Sequence, residues 1–250
     1  MNETIMHLKQ SLKTLNLTEA AQIVDESLME AEKHQWTCRE FLQRLLRHEI
    51  VRREEKQLAR RYKWASFPEV KTLDEFRLEE QLSLSKRQFE QLRELLWLEQ
   101  NYNLILLGPP GVGKTHIAIG LGVEALHNGC KVSFVPMDHL IQLLKTQEIS
   151  RSSQYKLRRI YHSDLVILDD LMFMAMDRNE ANLFFQFVNN LYGQTSIILT
   201  SNKGPEDWGE LLGDPAITTA ILDRILHKSE VIHLSGDSYR LKYRQTIFAS

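Results

Sequence analysis

A glycine-rich loop between an apolar run and a helical segment constrains the fold most strongly. Residues 104–120 read LILLGPPGVGKTHIAIG, and residues 108–115 fit the pattern G-x-x-x-x-G-K-[ST]. In such a loop, backbone N–H groups surround phosphate groups, and the N-terminus of the following helix adds partial positive charge. The alternative is a glycine-rich turn with a chance Lys-Thr pair. Because an apolar run precedes the motif and a helical pattern follows it, we predict a phosphate site in an α/β fold.

Short apolar segments alternate with helical stretches in the rest of this region. The predicted strands are residues 103–108, 130–136, 164–170, 196–202 and 229–234. Apolar residues at consecutive positions are typical of parallel strands that helices cover on both faces. We therefore expect a parallel sheet that is buried on both faces.

Composition bounds the remaining possibilities. The 250 residues, 43% of them hydrophobic, suffice for one large domain and a small one, and a net charge of −2 restricts any nucleic-acid surface to a local patch. No apolar run approaches the roughly 20 residues that cross a bilayer, and the charged N-terminus is not a signal peptide. Cys38 and Cys130 match no metal-binding spacing and are expected to be thiols in a reducing cytosol. We expect a cytoplasmic protein without a membrane partner.

The chain is predicted to have two domains, residues 1–66 and residues 67–250. The first is expected to be all-helical, because apolar residues recur at three- and four-residue steps in its first helix: Ile5, Leu8, Leu12 and Leu15. Thr37 and Glu40 have the spacing of a capping box and predict the start of a long helix. Residues 67–76, FPEVKTLDEF, resemble a linker, since Pro68 disfavours a helix before it.

The phosphate loop supplies the first set of candidate site residues. Lys114 is predicted to reach the β- and γ-phosphates, and the Thr115 hydroxyl to bind Mg²⁺. The nucleotide-contacting residues are predicted to be Gly108, Pro109, Pro110, Gly111, Val112, Gly113, Lys114, Thr115 and His116.

Polar residues after two later strands, and an arginine in an apolar helix, complete the candidate site. Asp169 and Asp170 follow LVIL, where Asp169 would hold Mg²⁺, mainly through its water shell, and Asp170 would orient the attacking water. Asn202 would contact the γ-phosphate or that water, and Arg224 in AILDRILHKS would neutralise charge on the transferred phosphoryl group. The respective alternatives are a solvated strand end, a turn, and a surface arginine paired with Asp223.

The order of these motifs carries a family resemblance. The phosphate loop, LVILDD, IILTSN and LDRIL resemble those of AAA+ ATPases. The segment SNKGPEDWGELLGDPAITTAILDRILHKSEVIHLSGDSYRLK resembles the IstB-like helper ATPases of bacterial insertion sequences, which are relatives of DnaC-type helicase loaders. The similarity extends over nearly the whole chain, including the short helical N-terminal domain.

The resemblance implies a five-stranded parallel sheet of order 5-1-4-3-2 and a function. That function is ATP-dependent assembly on duplex DNA as a homo-oligomer with head-to-tail ATP interfaces, and recruitment of the transposase of the same element. Asn202 matches the first sensor, Arg224 the arginine finger that acts on a neighbour's ATP, and Arg240 a candidate second sensor. Asp170 stands where most AAA+ enzymes have glutamate, which implies slow, DNA-stimulated hydrolysis.

Two basic stretches could contact DNA. Residues 39–63 contain nine Lys or Arg against four Glu. In residues 145–159 only Glu148 opposes the basic residues Lys145, Arg151, Lys156, Arg158 and Arg159. Either stretch could be an ordinary solvated face. The resemblance favours the second, because related initiator and loader ATPases carry DNA-contacting helices between the second and third strands.

Three alternatives remain open at this level. A DnaC-like helicase loader would differ from a transposition helper in preferring single-stranded over duplex DNA. A small-molecule phosphotransferase would need a lid, and none is evident after Asn202. The methionine-rich residues 171–176 could be core or a partner surface.

Overall fold

The computed structural model describes residues 2–81, 83–171, 176–211 and 214–244. The chain divides into two compact units, Met1–Arg60 and Arg61–Ser250, which are described separately below. The domain boundary predicted after residue 66 stays a prediction. Across the described part of the chain, no helix combines the length and apolar character needed to cross a membrane.

The first unit is helical, as its sequence periodicity predicts. Its elements are α1 (Asn2–Thr14), α2 (Thr18–His34) and most of α3 (Cys38–Ala65). The predicted capping box at the start of α3 is confirmed, because the Thr37 N–H donates to Glu40 Oε2 at 2.7 Å and the Glu40 N–H donates to Thr37 Oγ1 at 3.3 Å. A small apolar core joins α2 to α3 and consists of Ala20, Val24 and Leu45.

A buried carboxylate on α3 caps the N-terminus of α2. Glu49 Oε2 accepts hydrogen bonds from the backbone N–H groups of Glu19 and Ala20, both at 2.8 Å, and Arg53 Nε donates to Oε1 at 2.6 Å. Burial opposes ionisation of Glu49, but the backbone N–H of Ala20 and the Arg53 guanidinium outweigh it and hold the pKa of this carboxyl below its ordinary value. Two N–H groups that the first turn of a helix leaves without partners are thereby satisfied.

The sheet of the second unit has five parallel strands. They are β1 (Asn103–Leu107), β2 (Val132–Pro136), β3 (Leu165–Asp169), β4 (Ser196–Ser201) and β5 (Ser229–His233). Their order is β2-β3-β4-β1-β5, which confirms the predicted order 5-1-4-3-2. Each strand lies within its predicted segment and is one or two residues shorter.

The prediction that the sheet is buried on both faces is confirmed for the central strands β1 and β4 but not for the edge strand β5. All residues of β1 and β4 are buried. In β5 only Ile232 is buried, while Glu230 and His233 are exposed. The prediction of complete burial is therefore wrong for β5, which is an edge strand of the sheet. The other edge strand, β2, has four of its five residues buried.

Helices cover the two faces of the sheet. They are α4 (Lys86–Arg93), α5 (Leu96–Glu99), α6 (Lys114–His127), α7 (Met137–Thr146), α8 (Arg151–Tyr161), α9 (Arg178–Leu191), α10 (Trp208–Leu211), α11 (Pro215–Leu226) and α12 (Tyr239–Lys242). The core against β3 and β4 is built from large side chains that are fully buried, including Phe184, Phe187 and Trp208. Of the methionine-rich segment, Leu171 and Met176 join this core, and residues 172–175 lie outside the described residues.

The predicted linker is instead packed on the second unit. We name residues 67–81 the strap. Leu73 is buried against Gly120 of α6, where an added Cβ would come within 2.5 Å of Leu73 Cδ2. Phe67 similarly contacts Gly122, where a Cβ would come within 2.9 Å of its ring. The strap bends at residues 68–69 and forms two short 3-10 helices, Leu73–Glu75 and Leu78–Glu80. Because its apolar side chains pack over the glycines of α6, it is not a free linker.

We expect Glu49→Gln to lower the stability of the first unit. The change keeps the side-chain volume but removes the charged acceptor of two backbone N–H groups, and should cost about 1–3 kcal/mol in the free energy of unfolding at pH 7. Because the folded-state pKa is depressed, the contribution is present above the unfolded pKa and is lost as the pH falls through the folded pKa. Urea unfolding of the full chain, followed by helical circular dichroism, measures both effects.

The matched control is Glu54→Gln, an exposed glutamate on the same helix. It should leave the unfolding midpoint unchanged. The difference between parent and Glu49→Gln should narrow as the parent carboxylate becomes protonated at acidic pH. Equal losses in the two variants would contradict the capping role.

Candidate nucleotide-binding site

The phosphate loop lies close against the segment that follows β5. Gly108 has φ 147°, and a Cβ there would lie 2.1 Å from the carbonyl oxygen of Leu234. Gly111 has φ 88°, and a Cβ there would lie 2.1 Å from Ser238 Oγ. The Gly111 carbonyl also accepts a hydrogen bond from the Tyr239 N–H at 3.0 Å. Both positions therefore require glycine, and the segment after β5 fixes the outer side of the loop.

Lys114 lies at the centre of the site with only 7% of its surface exposed. Its Nζ donates to the carbonyl oxygens of Gly108 at 2.8 Å and Pro109 at 2.9 Å, and to Asn202 Oδ1 at 2.7 Å. Burial lowers the pKa of this ammonium group, while the nearby carboxylates of Asp170 and Asp169 oppose that shift. An anion bound in the loop would therefore favour the charged form of Lys114 further.

One threonine joins the two predicted acidic residues. The Thr200 hydroxyl donates to Asp169 Oδ1 at 2.7 Å and accepts the Asp170 N–H at 2.9 Å. Asp170 has φ 64°, an unusual conformation for a residue other than glycine, and this strain lies at the site itself. Sequence reasoning missed Thr200. The sequence does contain a pattern that indicates Thr200. Thr200 and Asn202 are two residues apart, so in an extended segment both side chains lie on the same face.

The candidate Mg²⁺ ligands are also brought together. The Thr115 hydroxyl donates to Asp169 Oδ1 at 2.9 Å, and hydroxyl and carboxylate oxygens are ligands that Mg²⁺ prefers. The described residues contain no group of three or more His, Cys, Asp or Glu side chains that could hold a metal ion. Thr115 and Asp169 are therefore the residues that would hold Mg²⁺ in this site.

These residues open onto a cleft of about 540 Å³. Its lining includes the phosphate loop from Pro110 to His116, the strap residues Phe76 and Gln81, and the side chains of Asp170, Thr200, Asn202 and Arg240. His116 Nε2 is hydrogen-bonded to the Thr72 carbonyl at 2.9 Å, so the strap fixes this ring. Arg240 is close enough to Lys114 to depress its pKa, which places the candidate second sensor in the same cleft.

A clasp between the strap and α12 closes one side of the cleft. The Arg77 guanidinium lies over the rings of Tyr243, at 4.9 Å, and Tyr239, at 5.8 Å. Glu80 accepts hydrogen bonds from Lys242 Nζ at 3.0 Å and from the Tyr243 hydroxyl. Sequence reasoning missed this contact, because the two segments are more than 150 residues apart in the chain.

Arg224 lies at the opposite end of the sheet from the phosphate loop. The side chain of Asn103, at the start of β1, donates to the carbonyl of Ile225 at 2.9 Å, so this turn of α11 lies at the amino ends of the strands. The phosphate loop follows the carboxyl end of β1, about 15 Å away along the strand. Arg224 is therefore not brought together with the other candidate residues within one subunit.

The candidate DNA-contacting residues fall into two groups. Lys145 pairs with Glu180 at 2.8 Å, and Arg159 donates to the carbonyl of Trp64 and lies 4.8 Å from its ring centre. The exposed face of α8 presents the other three, Arg151, Lys156 and Arg158.

Ion pairs partly neutralise the first basic stretch, residues 39–63. Four of its basic residues pair with glutamates of the first unit, namely Arg44, Arg52, Arg53 and Lys56. The sequence alone gives only the excess of positive charge in this stretch, since the paired acids lie partly on other helices.

Comparison with known proteins gives the family. The profile described as "IstB-like ATP binding protein" matches residues 10–247. An insertion sequence IS21 protein of Pseudomonas aeruginosa, named as ATP-binding, is 41% identical over 241 residues, which cover 96% of this chain and 91% of that protein. A similarly named protein of insertion sequence IS5376 from Geobacillus stearothermophilus is 37% identical over 215 residues, which cover 86% of each chain.

Solved structures support the fold. AMPPCP-bound DnaA from Aquifex aeolicus has a TM-score of 0.55 and 24% identity, covering 70% of this chain and 53% of that one. The crystal structure of DnaI has a TM-score of 0.54 and 19% identity, covering 68% and 90%. Together with the sheet order and the phosphate loop, these matches establish an AAA+ fold, and the chain belongs to the IstB-like family of ATP-binding proteins.

Proposed function

We propose that this protein is an ATPase that assembles on duplex DNA and recruits the transposase of its insertion sequence. The observation that carries the proposal is the position of Arg224, at the end of the sheet opposite the phosphate loop. If Arg224 acts on ATP, it acts on the nucleotide of a second subunit packed head to tail. Such a contact repeats into a ring or an open helix. Family membership supports the insertion-sequence setting, and hence a transposase as partner.

Five of the candidate residues have roles in the proposed reaction. Lys114 binds the β- and γ-phosphates, Asp170 orients the attacking water, and Asn202 contacts the γ-phosphate or that water. Thr115 and Asp169 would hold Mg²⁺, whose charge would offset that of the phosphate oxygens. Aspartate is one methylene shorter than the glutamate usual in AAA+ enzymes, so Asp170 holds the water less closely and hydrolysis is slow.

The finger and the second sensor complete this scheme. Arg224 of the adjacent subunit neutralises charge that develops on the transferred phosphoryl group. Arg240 approaches the phosphates from the clasped segment of the same subunit. ATP is then part of the interface, so assembly and hydrolysis are coupled, and DNA stimulates hydrolysis by favouring assembly.

Lys114→Ala should abolish ATP binding, and Asp170→Asn should keep it while slowing hydrolysis. The loop contains no other lysine or arginine that could replace the contact of Lys114 with the phosphates. Asp170→Asn removes only the group that orients the attacking water. Titration with a fluorescent ATP analogue and a phosphate-release assay measure the two steps. Asp138→Asn is the control, because Asp138 lies two residues after the end of β2, in the first turn of α7, and does not line the cleft. An Asp170→Asn rate equal to that of the parent would remove Asp170 from its role.

DNA binding should be promoted by ATP, independent of sequence and steeply weakened by salt. We expect a smaller slope of log affinity against log salt when Arg151, Lys156 and Arg158 are changed together to Ala. The magnitude of the slope should fall by up to about 0.9 for each phosphate that is no longer neutralised. Lys145→Ala, which removes a cation already paired with Glu180, should change the slope less.

Fluorescence anisotropy with matched duplex and single-stranded oligonucleotides measures these slopes. Tighter binding to the duplex is the expected result, and a preference for the single strand would favour the helicase-loader alternative. An unchanged slope in the triple variant would mean that DNA binds elsewhere, with residues 39–63 as the next candidate.

Arg224→Ala should bind ATP but neither hydrolyse it nor assemble on DNA. Arginine fingers contribute on the order of 10³–10⁵ in rate in other phosphoryl-transfer enzymes. Mixing Arg224→Ala with Lys114→Ala should restore part of the ATPase activity, since a mixed interface can join an intact loop to an intact finger. The control mixes the double variant Lys114→Ala/Arg224→Ala with either single variant. No ATPase activity should return, because no interface then joins an intact loop to an intact Arg224. No recovery despite demonstrated co-assembly would exclude action between subunits.

A further inference from the structure

Arg224 is held in place by a neighbouring helix. Its Nε donates to Asn189 Oδ1 at 2.9 Å, and its Nη1 donates to the carbonyl of Ala220 at 2.9 Å. Its guanidinium carbon lies 4.7 Å from the ring centre of Phe185. Phe185 and Asn189 are four residues apart on α9, so they lie on the same face of that helix. The ring and the amide therefore fix both the plane and one edge of the guanidinium.

These contacts leave part of the guanidinium available. An arginine has five N–H donors in a rigid plane, and the two hydrogen bonds engage one on Nε and one on Nη1. In the described part of the chain, the other three donors, one on Nη1 and two on Nη2, make no hydrogen bond, and such donors can bind oxygens of a phosphate. The donors that hold Arg224 are thus distinct from those that would meet an anion.

The surroundings of Arg224 carry further positive charge. A cavity of about 200 Å³ beside it is lined also by His227 and Lys228. The Tyr192 hydroxyl is hydrogen-bonded to His227 Nδ1 at 3.1 Å, which orients that ring. Asp223 is an exposed acid next to Arg224 in the chain, but no ion pair between them is found within the described ranges. The positive charges of Arg224 and Lys228 are complementary to the triphosphate expected on the facing subunit.

We propose that Asn189 is a positioning residue for the arginine finger. This proposal rests on the proposed function: Asn189 holds Arg224 so that its remaining donors are directed at the γ-phosphate on the adjacent subunit. A preordered guanidinium loses less conformational freedom when the interface closes. Small misplacements of a group that acts in the transition state can reduce rates by about a hundredfold. Asn189 touches no part of the reaction and acts only through Arg224.

The test uses the full chain with ATP, Mg²⁺ and duplex DNA. Asn189→Leu, which keeps the approximate volume but removes the acceptor, should lower the ATPase rate by about ten- to a hundredfold without changing ATP affinity. Asn189→Asp keeps an acceptor oxygen and should retain most of the rate. The matched control is Asn190→Leu, since Asn190 is the adjacent exposed residue of the same helix and makes no hydrogen bond to Arg224 in the described structure.

Two further measurements separate positioning from general damage to the fold. Asn189→Leu mixed with Lys114→Ala should regain activity, because its own phosphate loop is intact and the partner supplies a correctly held finger. The double variant Asn189→Leu/Arg224→Ala should have the same ATPase rate as Arg224→Ala alone, because Asn189 acts only through Arg224. A misfolded subunit would recover nothing on mixing.

The outcomes distinguish this proposal from the proposed function. If Arg224→Ala is inactive while Asn189→Leu matches or exceeds the parent rate, the positioning role of Asn189 is overturned and the finger stands. An active Arg224→Ala would overturn both. A loss in Asn189→Leu that mixing does not restore, or an equal loss in Asn190→Leu, would also overturn the positioning role.

Discussion

The Asp169 carboxylate organises the candidate site. It accepts hydrogen bonds from Thr115, at the start of the helix after β1, and from Thr200 on β4, while it ends β3 itself. Three strands are joined by one acidic group, which is possible because β3, β4 and β1 are neighbours in the sheet. In a parallel sheet their carboxyl ends meet at one edge, and ligands bind beyond that edge. The position of Lys114, through its bond to Asn202, follows from the same arrangement.

The outer wall of the cleft has a different origin. It comes from the strap and from the segment after β5, neither of which belongs to the sheet. Arg77 and Glu80 contact α12, and Gln81 donates to the Val112 carbonyl of the phosphate loop at 3.2 Å. Since Arg240 lies on α12, its position depends on these contacts. The candidate second sensor is thus supported by the segment that precedes the first strand.

The two ends of the sheet carry different candidate residues. Asp169, Asp170 and the phosphate loop lie at the carboxyl ends of the strands, and Arg224, His227 and Lys228 line a cavity at the amino ends. Under the proposed function, each interface between two subunits would complete one site. Helix α9 follows Asp170 in the chain and ends beside Arg224, so the acidic pair and the Asn189 contact to Arg224 belong to one β–α element. In the proposed assembly, this element would link the subunit interface to the nucleotide.

The sequence by itself determined the local elements and the loop chemistry. Apolar runs located all five strands, the Thr37–Glu40 spacing located the start of α3, and the glycine pattern located the phosphate loop, because each depends on residues close together in the chain. The family resemblance supplied the strand order, which local patterns do not contain. Only the tertiary structure decided what pairs over long separations: Thr200 with Asp169, the strap with α12, and Asn189 with Arg224. It also divided the basic residues near α8 into engaged and exposed ones, because whether a charge meets a partner depends on the packing of distant segments.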